Sequence, residues 1–338
     1  MKEKKIQSAN RIMNGKKHKY IISFLRYSAM CLLSMTLLTV TTRYAAADIG
    51  GAYYEYNLSD FSGAIPYNWA GLTVDKAQDE IYVIYKNDVE VFNERGMKIY
   101  SFGSDENIRG VIYDVAVASD GTIFLLLHQE DTYSVMRCNY RGESVALLQF
   151  KDFPEEYAGI YPARIVYRAG DLYLADLMVS KKVVITDING RFKAGYDVNT
   201  LFGLDEYENR PGHEKEIAGF SVDREGNMLF TVPTIFRAFI LSPDSKVRSF
   251  GESGNIPGKF SVVSGIASDD AGNIYVADKL KSVVMIFDKD LKFIMEFGYR
   301  GERPENLIAP MDVVISKGNI YISQARKRGV SVYRIVSN

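Results

Sequence analysis

Residues able to do chemistry are sparse in this sequence, and carboxylates are the commonest among them. Histidine occurs three times, and beyond residue 47 only His128 and His213 remain. A catalytic zinc site usually takes three protein ligands, so two histidines in unrelated positions predict surface or loop-anchoring roles. The same part of the chain contains no Gly-x-Ser-x-Gly elbow and no glycine-rich phosphate loop with its lysine. These patterns favour binding over nucleophilic catalysis.

Four aspartates stand at repeating positions beside apolar runs. Asp114 and Asp312 immediately precede such runs, whereas Asp176 and Asp278 end others. If the runs are neighbouring strands, all four carboxylates face one rim, where oxygen ligands could hold a hard cation such as Ca²⁺. The alternative is that each carboxylate fastens a loop through backbone hydrogen bonds. The sequence favours the second interpretation, so we predict no cofactor, and Ca²⁺ is the one cation left open.

Several other residues are candidates for binding a partner at loops. Trp69, the only tryptophan, follows Pro66, Tyr67 and Asn68 just before an apolar run, and Arg164 begins another run. Arg326 belongs to a compact basic loop, Ala325-Arg326-Lys327-Arg328-Gly329, which could meet an acidic partner. An insertion from Asn199 to Glu216 makes one repeat the longest, and inserted loops on rigid scaffolds often carry specificity. We therefore predict a rim-loop binding surface that includes Trp69, Asp114, Arg164, Asp176, Asp278, Asp312 and Arg326.

The first 47 residues have the pattern of an export signal. A long basic leader precedes an apolar run from Ala29 to Val40, and Ala45-Ala46-Ala47 supplies small residues for cleavage before Asp48. The run is short for a bilayer-spanning helix, which needs about 20 apolar residues, although a retained anchor is the alternative. We expect an extracytoplasmic protein, periplasmic, cell-surface or secreted, with no membrane span in its mature form.

Removal of this leader changes the charge and the cysteine content. It takes away nine of 41 basic and one of 42 acidic residues, leaving a formal charge of −9 on residues 48–338. Such a balance repels phosphate backbones and argues against a nucleic-acid partner. Cys138 is the one cysteine left, within an alternating apolar run, so no intramolecular disulfide can form and a buried thiol is predicted.

A short strand that follows a turn recurs six times and sets the fold. The first apolar residues of these strands, from Ile81 to Ile320, are 42, 49, 56, 46 and 46 positions apart. Each unit contains an apolar strand, a tight turn, a second strand, a third strand and an edge strand, which is the pattern of a propeller blade. No convincing long helical period interrupts it. Residues 48–338 are therefore predicted to form one all-β domain, a six-bladed β-propeller of four-stranded blades.

The sixth unit ends after its third strand, Val330–Ile335, with three residues left. An open sheet edge is an association hazard. The stretch from Tyr53 to Leu58 precedes the first unit and has no other obvious role. We predict that it supplies the fourth strand of the last blade and closes the ring.

The units resemble the NHL-repeat family. The best stretch runs from Phe250-Gly251-Glu252-Ser253-Gly254 through Gly272-Asn273-Ile274-Tyr275-Val276-Ala277-Asp278 to Val284-Met285-Ile286-Phe287-Asp288, and the third and sixth units match in part. The resemblance implies a six-bladed propeller over roughly residues 52 to 336 and little about activity, because such propellers host binding proteins, lyases and hydrolases.

The function favoured by these observations is a monomeric binding or scaffolding module for a protein or surface polymer. The runner-up is a cation-dependent lyase or lactonase-like enzyme at the channel mouth, which would use some of Asp114, Asp176, Asp278 and Asp312. RNA binding is a third possibility, and it conflicts with the export signal and with the charge of −9.

Overall fold

The computed structural model describes residues 49–103, 108–207 and 216–337. The expected export signal, residues 1–47, lies outside these ranges, as do His213 and the middle of the insertion at 199–216. Within the ranges, no helix is long and apolar enough to cross a bilayer.

Short strands make up most of the described chain. Their bounds are β1 (Ile49–Asn57), β2 (Ser59–Asp60), β3 (Gly63–Ala64), β4 (Gly71–Asp75), β5 (Glu80–Tyr85), β6 (Asp88–Phe92), β7 (Lys98–Phe102), β8 (Val111–Val117), β9 (Ile123–Gln129), β10 (Thr132–Cys138), β11 (Ser144–Leu147), β12 (Arg164–Arg168), β13 (Asp171–Asp176), β14 (Lys182–Asp187), β15 (Phe192–Asp197), β16 (Gly219–Val222), β17 (Met228–Val232), β18 (Arg237–Leu241), β19 (Val247–Phe250), β20 (Val263–Ser268), β21 (Ile274–Asp278), β22 (Val283–Phe287), β23 (Phe293–Phe297), β24 (Asp312–Ser316), β25 (Asn319–Ser323) and β26 (Val330–Ser337). Helical structure in the described residues is limited to one α-helical turn, α1 (Val198–Leu201), and to 3-10 turns at Glu155–Tyr157, Leu204–Tyr207 and Pro233–Ile235.

These strands form six antiparallel four-stranded sheets and one small hairpin, β2–β3. Blades 1 to 5 follow the chain as β4–β7, β8–β11, β12–β15, β16–β19 and β20–β23, and blade 6 has the order β1-β26-β25-β24. The predicted all-β, six-bladed propeller is therefore confirmed.

The turn between the first two strands of each blade explains much of this regularity. In blades 2 to 6 the turn contains a glycine with φ between 83° and 90°, at Gly121, Gly170, Gly226, Gly272 and Gly318. Blade 1 has Asp79 there, with φ 58°. Glycine adopts positive φ at no steric cost, and aspartate tolerates it better than most residues. Local sequence thus sets each hairpin.

The hydrophobic core lies between blades rather than in one central cluster. Six clusters of buried residues each join two adjacent blades, and Ile165 with Leu126 and Val184, for example, belongs to the cluster between blades 2 and 3. The middle strands are buried on both faces because each sheet packs against two neighbours. No helical layer is needed to cover them.

Blade 6 is closed by the N-terminal strand. β1 pairs antiparallel with β26, with Ile49 opposite Ser337 and Asn57 opposite Ser331. The Ser331 hydroxyl donates to Asn57 Oδ1 at 2.7 Å, and the rings of Tyr54 and Tyr333 meet edge to face at 5.7 Å. The predicted closure by the stretch at 53–58 is confirmed.

Candidate functional site

The first strand of every blade lines a channel on the propeller axis. These six strands begin at one face of the ring, which also contains the loops between second and third strands, and we call it the loop face. The opposite face contains the tight turns between first and second strands, and we call it the turn face. The pairing of Asp312 with Ser323, and of Ser323 with Val330, shows how three strand ends meet at the loop face.

Three of the predicted site residues meet in the channel near the loop face. Arg164 Nε donates to Asp114 Oδ2 at 3.0 Å, and one of its terminal nitrogens donates to Asp312 Oδ2 at 3.2 Å. Arg164 begins blade 3 and Asp312 begins blade 6, which is the opposite blade of the ring. The guanidinium therefore reaches across the channel and joins blades 2, 3 and 6.

Backbone amides hold both carboxylates of this ion cluster. Asp114 accepts from Ile165 N at 2.8 Å, and Asp312 accepts from Leu72 N at 3.2 Å and Val313 N at 3.0 Å. Burial raises the pKa of Asp114 despite Arg164, and the like charge of Asp312 adds to the increase. The two carboxylates raise the pKa of Arg164 against the opposite effect of its burial. Two carboxylates share one guanidinium, so the cluster bears one excess negative charge when all three groups are ionised.

Asp176 and Asp278 occupy equivalent places at the ends of β13 and β21, and both are fully buried. The Asp176 carboxylate accepts hydrogen bonds from four backbone amides and from the Ser180 hydroxyl. Asp278 likewise accepts from the amides of Ser261, Val262, Leu280 and Lys281. Each carboxylate fastens two loops of its blade, and neither lines the channel cavity.

Trp69 stands on the loop face beside blade 6. The residue is 53% exposed, and its φ of 57° lies in the left-handed region, which is unusual for a bulky residue. Trp69 N donates to Gln324 O at 2.9 Å, and Gly329 N donates to Tyr67 O at 3.1 Å. These two bonds hold the tryptophan against the 324–329 loop.

Basic residues occur in the segments that are hydrogen-bonded to one another beside this position. Arg328 donates to the carbonyls of Glu302, Arg303 and Asn306, which joins the 324–329 loop to the segment before β24. Segments 65–70, 298–311 and 324–329 thus form one surface, which we call the blade 6–1 corner. It contains five basic and two acidic residues: Arg300, Arg303, Arg326, Lys327, Arg328, Glu302 and Glu305. Arg326 and Lys327 are both exposed.

His128 lies near the end of β9 on the loop face, between the rings of two tyrosines, stacked on Tyr113 and tilted against Tyr161. Its ring is 4.0 Å from that of Tyr113 and 4.4 Å from that of Tyr161, measured between centroids. Nε2 and Pro162 O are 2.7 Å apart, and because a carbonyl only accepts, Nε2 is the donor. Burial lowers the pKa of His128. The imidazole thus anchors the segment before β12, which matches the predicted loop-anchoring role.

Within the described ranges, no three His, Cys, Asp or Glu side chains are grouped so as to hold a metal ion. Four carboxylates were considered for a cation. Asp176 and Asp278 accept hydrogen bonds from loop amides, whereas Asp114 and Asp312 both accept from Arg164.

Sequence reasoning missed some participants. Arg168, four residues after Arg164 on β12, also lines the channel cavity. Its spacing from Arg164 on one strand was a usable signal, because residues i and i+4 of a strand share a face. Nothing in the sequence around Ser221 or Tyr113 marked those residues as lining the channel or stacking on His128.

Comparisons with known proteins agree with this architecture. No protein-family model matches the chain. An alignment 100 residues long, which covers 27% of this chain, is 32% identical to Protein brain tumor of Drosophila melanogaster. The match covers 10% of that protein, so the chain spans about a tenth of the length of this curated relative.

Solved structures share the fold at low identity. A protein of unknown function from Bacteroides thetaiotaomicron has a TM-score of 0.59 at 11% identity, covering 85% of this chain and 76% of that one. Virginiamycin B lyase from Staphylococcus aureus has a TM-score of 0.52 at 10% identity, covering 81% and 84%. A streptogramin B lyase has a TM-score of 0.50 at 13% identity, covering 84% and 98%. Likeness at this identity shows the fold alone, and the class of protein it supports is the six-bladed β-propeller.

Proposed function

We propose that this propeller is an extracytoplasmic binding module that captures an acidic protein segment or an anionic surface polymer at the blade 6–1 corner. The observation that carries the proposal is Trp69, an exposed aromatic side chain held in a left-handed conformation beside a basic surface. Tryptophan and arginine are the residue types most enriched at binding hot spots. The aromatic ring would contact the partner's apolar groups, and the basic side chains its charges.

Charge supports the choice of an acidic partner. The blade 6–1 corner has a formal charge of +3, while residues 48–338 together have −9. A local excess of positive charge on an acidic protein attracts an anionic partner to one place and orients it there. Arg326 and Lys327 lie on a loop whose backbone is fixed by Arg328 and Gln324, so little backbone conformational entropy is lost on binding.

Binding is preferred to cation-dependent catalysis because of how the carboxylates are used. A lyase or lactonase-like site would need several of Asp114, Asp176, Asp278 and Asp312 to be open to a cation. Two of them are fully buried among loop amides, and the other two share a guanidinium. Added Ca²⁺ that raised the melting temperature of the protein would favour this second function.

Export and family membership are parts of the same proposal. The basic leader, the apolar run to Val40 and Ala45–Ala47 support removal of residues 1–47. The glycine-marked repeat and the residues from Phe250 to Asp288 support kinship with NHL-repeat proteins. Mass analysis of protein from the native envelope tests the cleavage, and a mass that includes residues 1–47 would contradict it.

Trp69 gives the binding proposal a direct readout, since the chain has one tryptophan. We expect poly-L-glutamate and alginate to shift the Trp69 fluorescence, with an affinity that falls as salt is raised, whereas neutral dextran has no effect. Arg326→Glu/Lys327→Glu turns two attractive charges into repulsive ones and should weaken binding about 100-fold, which corresponds to about 2.8 kcal/mol. Trp69→Ala should weaken binding about tenfold, and calorimetry measures the affinity of this variant because it has no tryptophan fluorescence.

The matched control is Arg141→Glu/Lys289→Glu. It changes the net charge by the same amount at two exposed turns between third and fourth strands, away from the corner. If the control weakens binding as much as the corner variant, attraction by overall charge explains the result and the corner is not the site.

A further inference from the structure

Blade 5 has three exposed aliphatic residues in its segments on the loop face. Leu280, between β21 and β22, is 66% exposed, and Ile256, in the segment before β20, is 65% exposed. Val262, at the end of the same segment, is exposed as well. We call these three residues the blade 5 patch. Scattered exposed aliphatic residues are ordinary on protein surfaces, whereas these three lie on two loops that are bonded to each other.

Buried polar groups bond the two loops together. Lys281 Nζ donates to Ile256 O at 3.1 Å and to a Glu296 carboxylate oxygen at 2.7 Å, and both charged side chains are buried. Asp278 accepts hydrogen bonds from backbone amides of both loops. A buried ion pair cannot be broken without leaving a charge uncompensated, so this pair keeps the loops in one arrangement. The patch is thus preorganised, and little backbone entropy is lost when a partner covers it.

The blade 5 patch adjoins the blade 6–1 corner. Ala309 N donates to Ser282 Oγ at 3.2 Å, which joins the corner segment 298–311 to the loop that contains Leu280. The arginines of that segment are exposed, and Lys279, next to Leu280, forms no ion pair within the described ranges. Apolar and basic groups therefore lie side by side on this part of the loop face.

We propose that the partner captured at the blade 6–1 corner is an acidic protein segment with apolar side chains, which pack on the blade 5 patch while its carboxylates meet the basic residues. Burial of the exposed aliphatic groups supplies affinity, and the charges orient the segment. An anionic polysaccharide has no apolar side chains with which to cover the patch. The inference rests on the proposed function and deepens it, because it selects a protein segment over a surface polymer.

Two synthetic peptides of equal length and equal glutamate content provide the first test, one with leucine and the other with serine at the remaining positions. In calorimetry we expect the leucine peptide to bind wild-type protein about tenfold more tightly, since burial of one leucine side chain is enough for such a factor. Its binding should also have the more negative heat-capacity change, which marks apolar burial. Equal affinities for the two peptides overturn the inference.

Variants locate the apolar contact. In Leu280→Ser/Ile256→Ser the preference for the leucine peptide should disappear. The matched control is Met178→Ser/Val179→Ser, which changes two exposed apolar residues in the equivalent loop of blade 3, opposite blade 6 in the ring. This control should keep the preference, and an equal loss in both variants overturns the inference. Circular dichroism and melting curves show whether each variant folds.

The outcomes separate this inference from the proposed function. If neither peptide binds, the corner does not capture acidic chains and both proposals fail. If both peptides bind equally, the corner captures acidic chains and the blade 5 patch takes no part. Phosphatidylglycerol vesicles that bind the wild-type protein but not Leu280→Ser/Ile256→Ser would make an anionic lipid surface the occupant of the patch, which also overturns the inference.

Discussion

His128 illustrates how packing sets the protonation of a single residue. Its imidazole lies between the rings of Tyr113 and Tyr161 and donates through Nε2 to Pro162 O. Burial disfavours the charged form and lowers its pKa from the ordinary value of 6.5, and the bond to Pro162 opposes this only in part. The neutral ring is therefore the form that the fold favours.

The pH dependence of stability follows from this shift. The unfolded chain takes up a proton on His128 near pH 6.5, whereas the folded protein does so only at lower pH. The contribution of His128 to stability is thus complete above pH 6.5 and is lost as the pH falls through the folded pKa. NMR should show the His128 ring titrating below 6.5, with the signal assigned by its loss in His128→Gln. A titration at or above 6.5 would show that the ring is solvated.

At the scale of the strand, β1 converts an open sheet into a closed ring. It covers the edge of β26 along its length and adds Tyr54 to the cluster between blades 5 and 6. Arg334 Nε pairs with Glu55 at 3.0 Å across the same two strands. An uncovered β26 would present unpaired backbone groups, so β1 contributes both stability and protection from association.

Deletion of residues 48–60 should therefore destabilise the whole domain rather than one blade. We expect a loss of several kcal/mol and a melting temperature lower by about 10 °C or more. Differential scanning calorimetry measures this directly. An unchanged cooperative transition in the deletion variant would mean that β1 does not hold the ring together.

Adjacent tyrosines of β1 give a finer comparison. Tyr54 packs edge to face on Tyr333, whereas Tyr53 is 60% exposed. Tyr54→Ala should cost about 2 kcal/mol, because a partly buried aromatic group and its ring contact are lost. Tyr53→Ala should cost less than about 0.5 kcal/mol, as is usual for surface changes. Equal costs in urea denaturation would contradict the observed orientation of the strand.

At the scale of the whole molecule, Arg164 connects opposite sides of the ring. Its bonds to Asp114 and Asp312 join three blades, and the two carboxylates in turn bind amides of blades 3 and 1. Apolar packing holds each blade to its two neighbours, while this ion cluster joins blades on opposite sides of the channel. Removal of the guanidinium would leave two buried carboxylates without a counter-charge, which is among the costlier single changes.

We expect Arg164→Met to cost about 3–5 kcal/mol at pH 7. Burial already raises the pKa of Asp114 and Arg164 opposes that increase, so without Arg164 the folded pKa of Asp114 would lie further above its unfolded value. Stability is then retained at low pH and lost as the pH rises through the folded pKa. The cost should accordingly be smaller at pH 4 than at pH 7. Arg191→Met, which breaks an exposed pair with Asp152, should cost less than about 1 kcal/mol at either pH. Urea denaturation at both pH values checks this, and a cost that does not change with pH would show that the carboxylates are already compensated.

The blades and their closure were determined by the sequence because their causes are local. Gly121, Gly226 and Gly272 mark tight turns by their need for positive φ, and the apolar runs that follow must be buried on both faces. The sixth unit lacked a fourth strand and the stretch at 53–58 had no other role. The sequence therefore predicted that this stretch pairs with blade 6. The loop-fastening positions of Asp176 and Asp278 also repeat with the strands.

Only the tertiary structure decided which polar groups meet. Arg164 and Asp312 are 148 positions apart and come together because they begin opposite blades of a closed ring. The sequence marked both as rim candidates without indicating an ion pair across the channel. The approach of Tyr161 to His128 likewise depends on how neighbouring blades are rotated about the axis, since Tyr161 precedes blade 3 and His128 belongs to blade 2. Strand patterns repeat along the chain and can be read from it, whereas contacts through the channel depend on the geometry of the assembled ring.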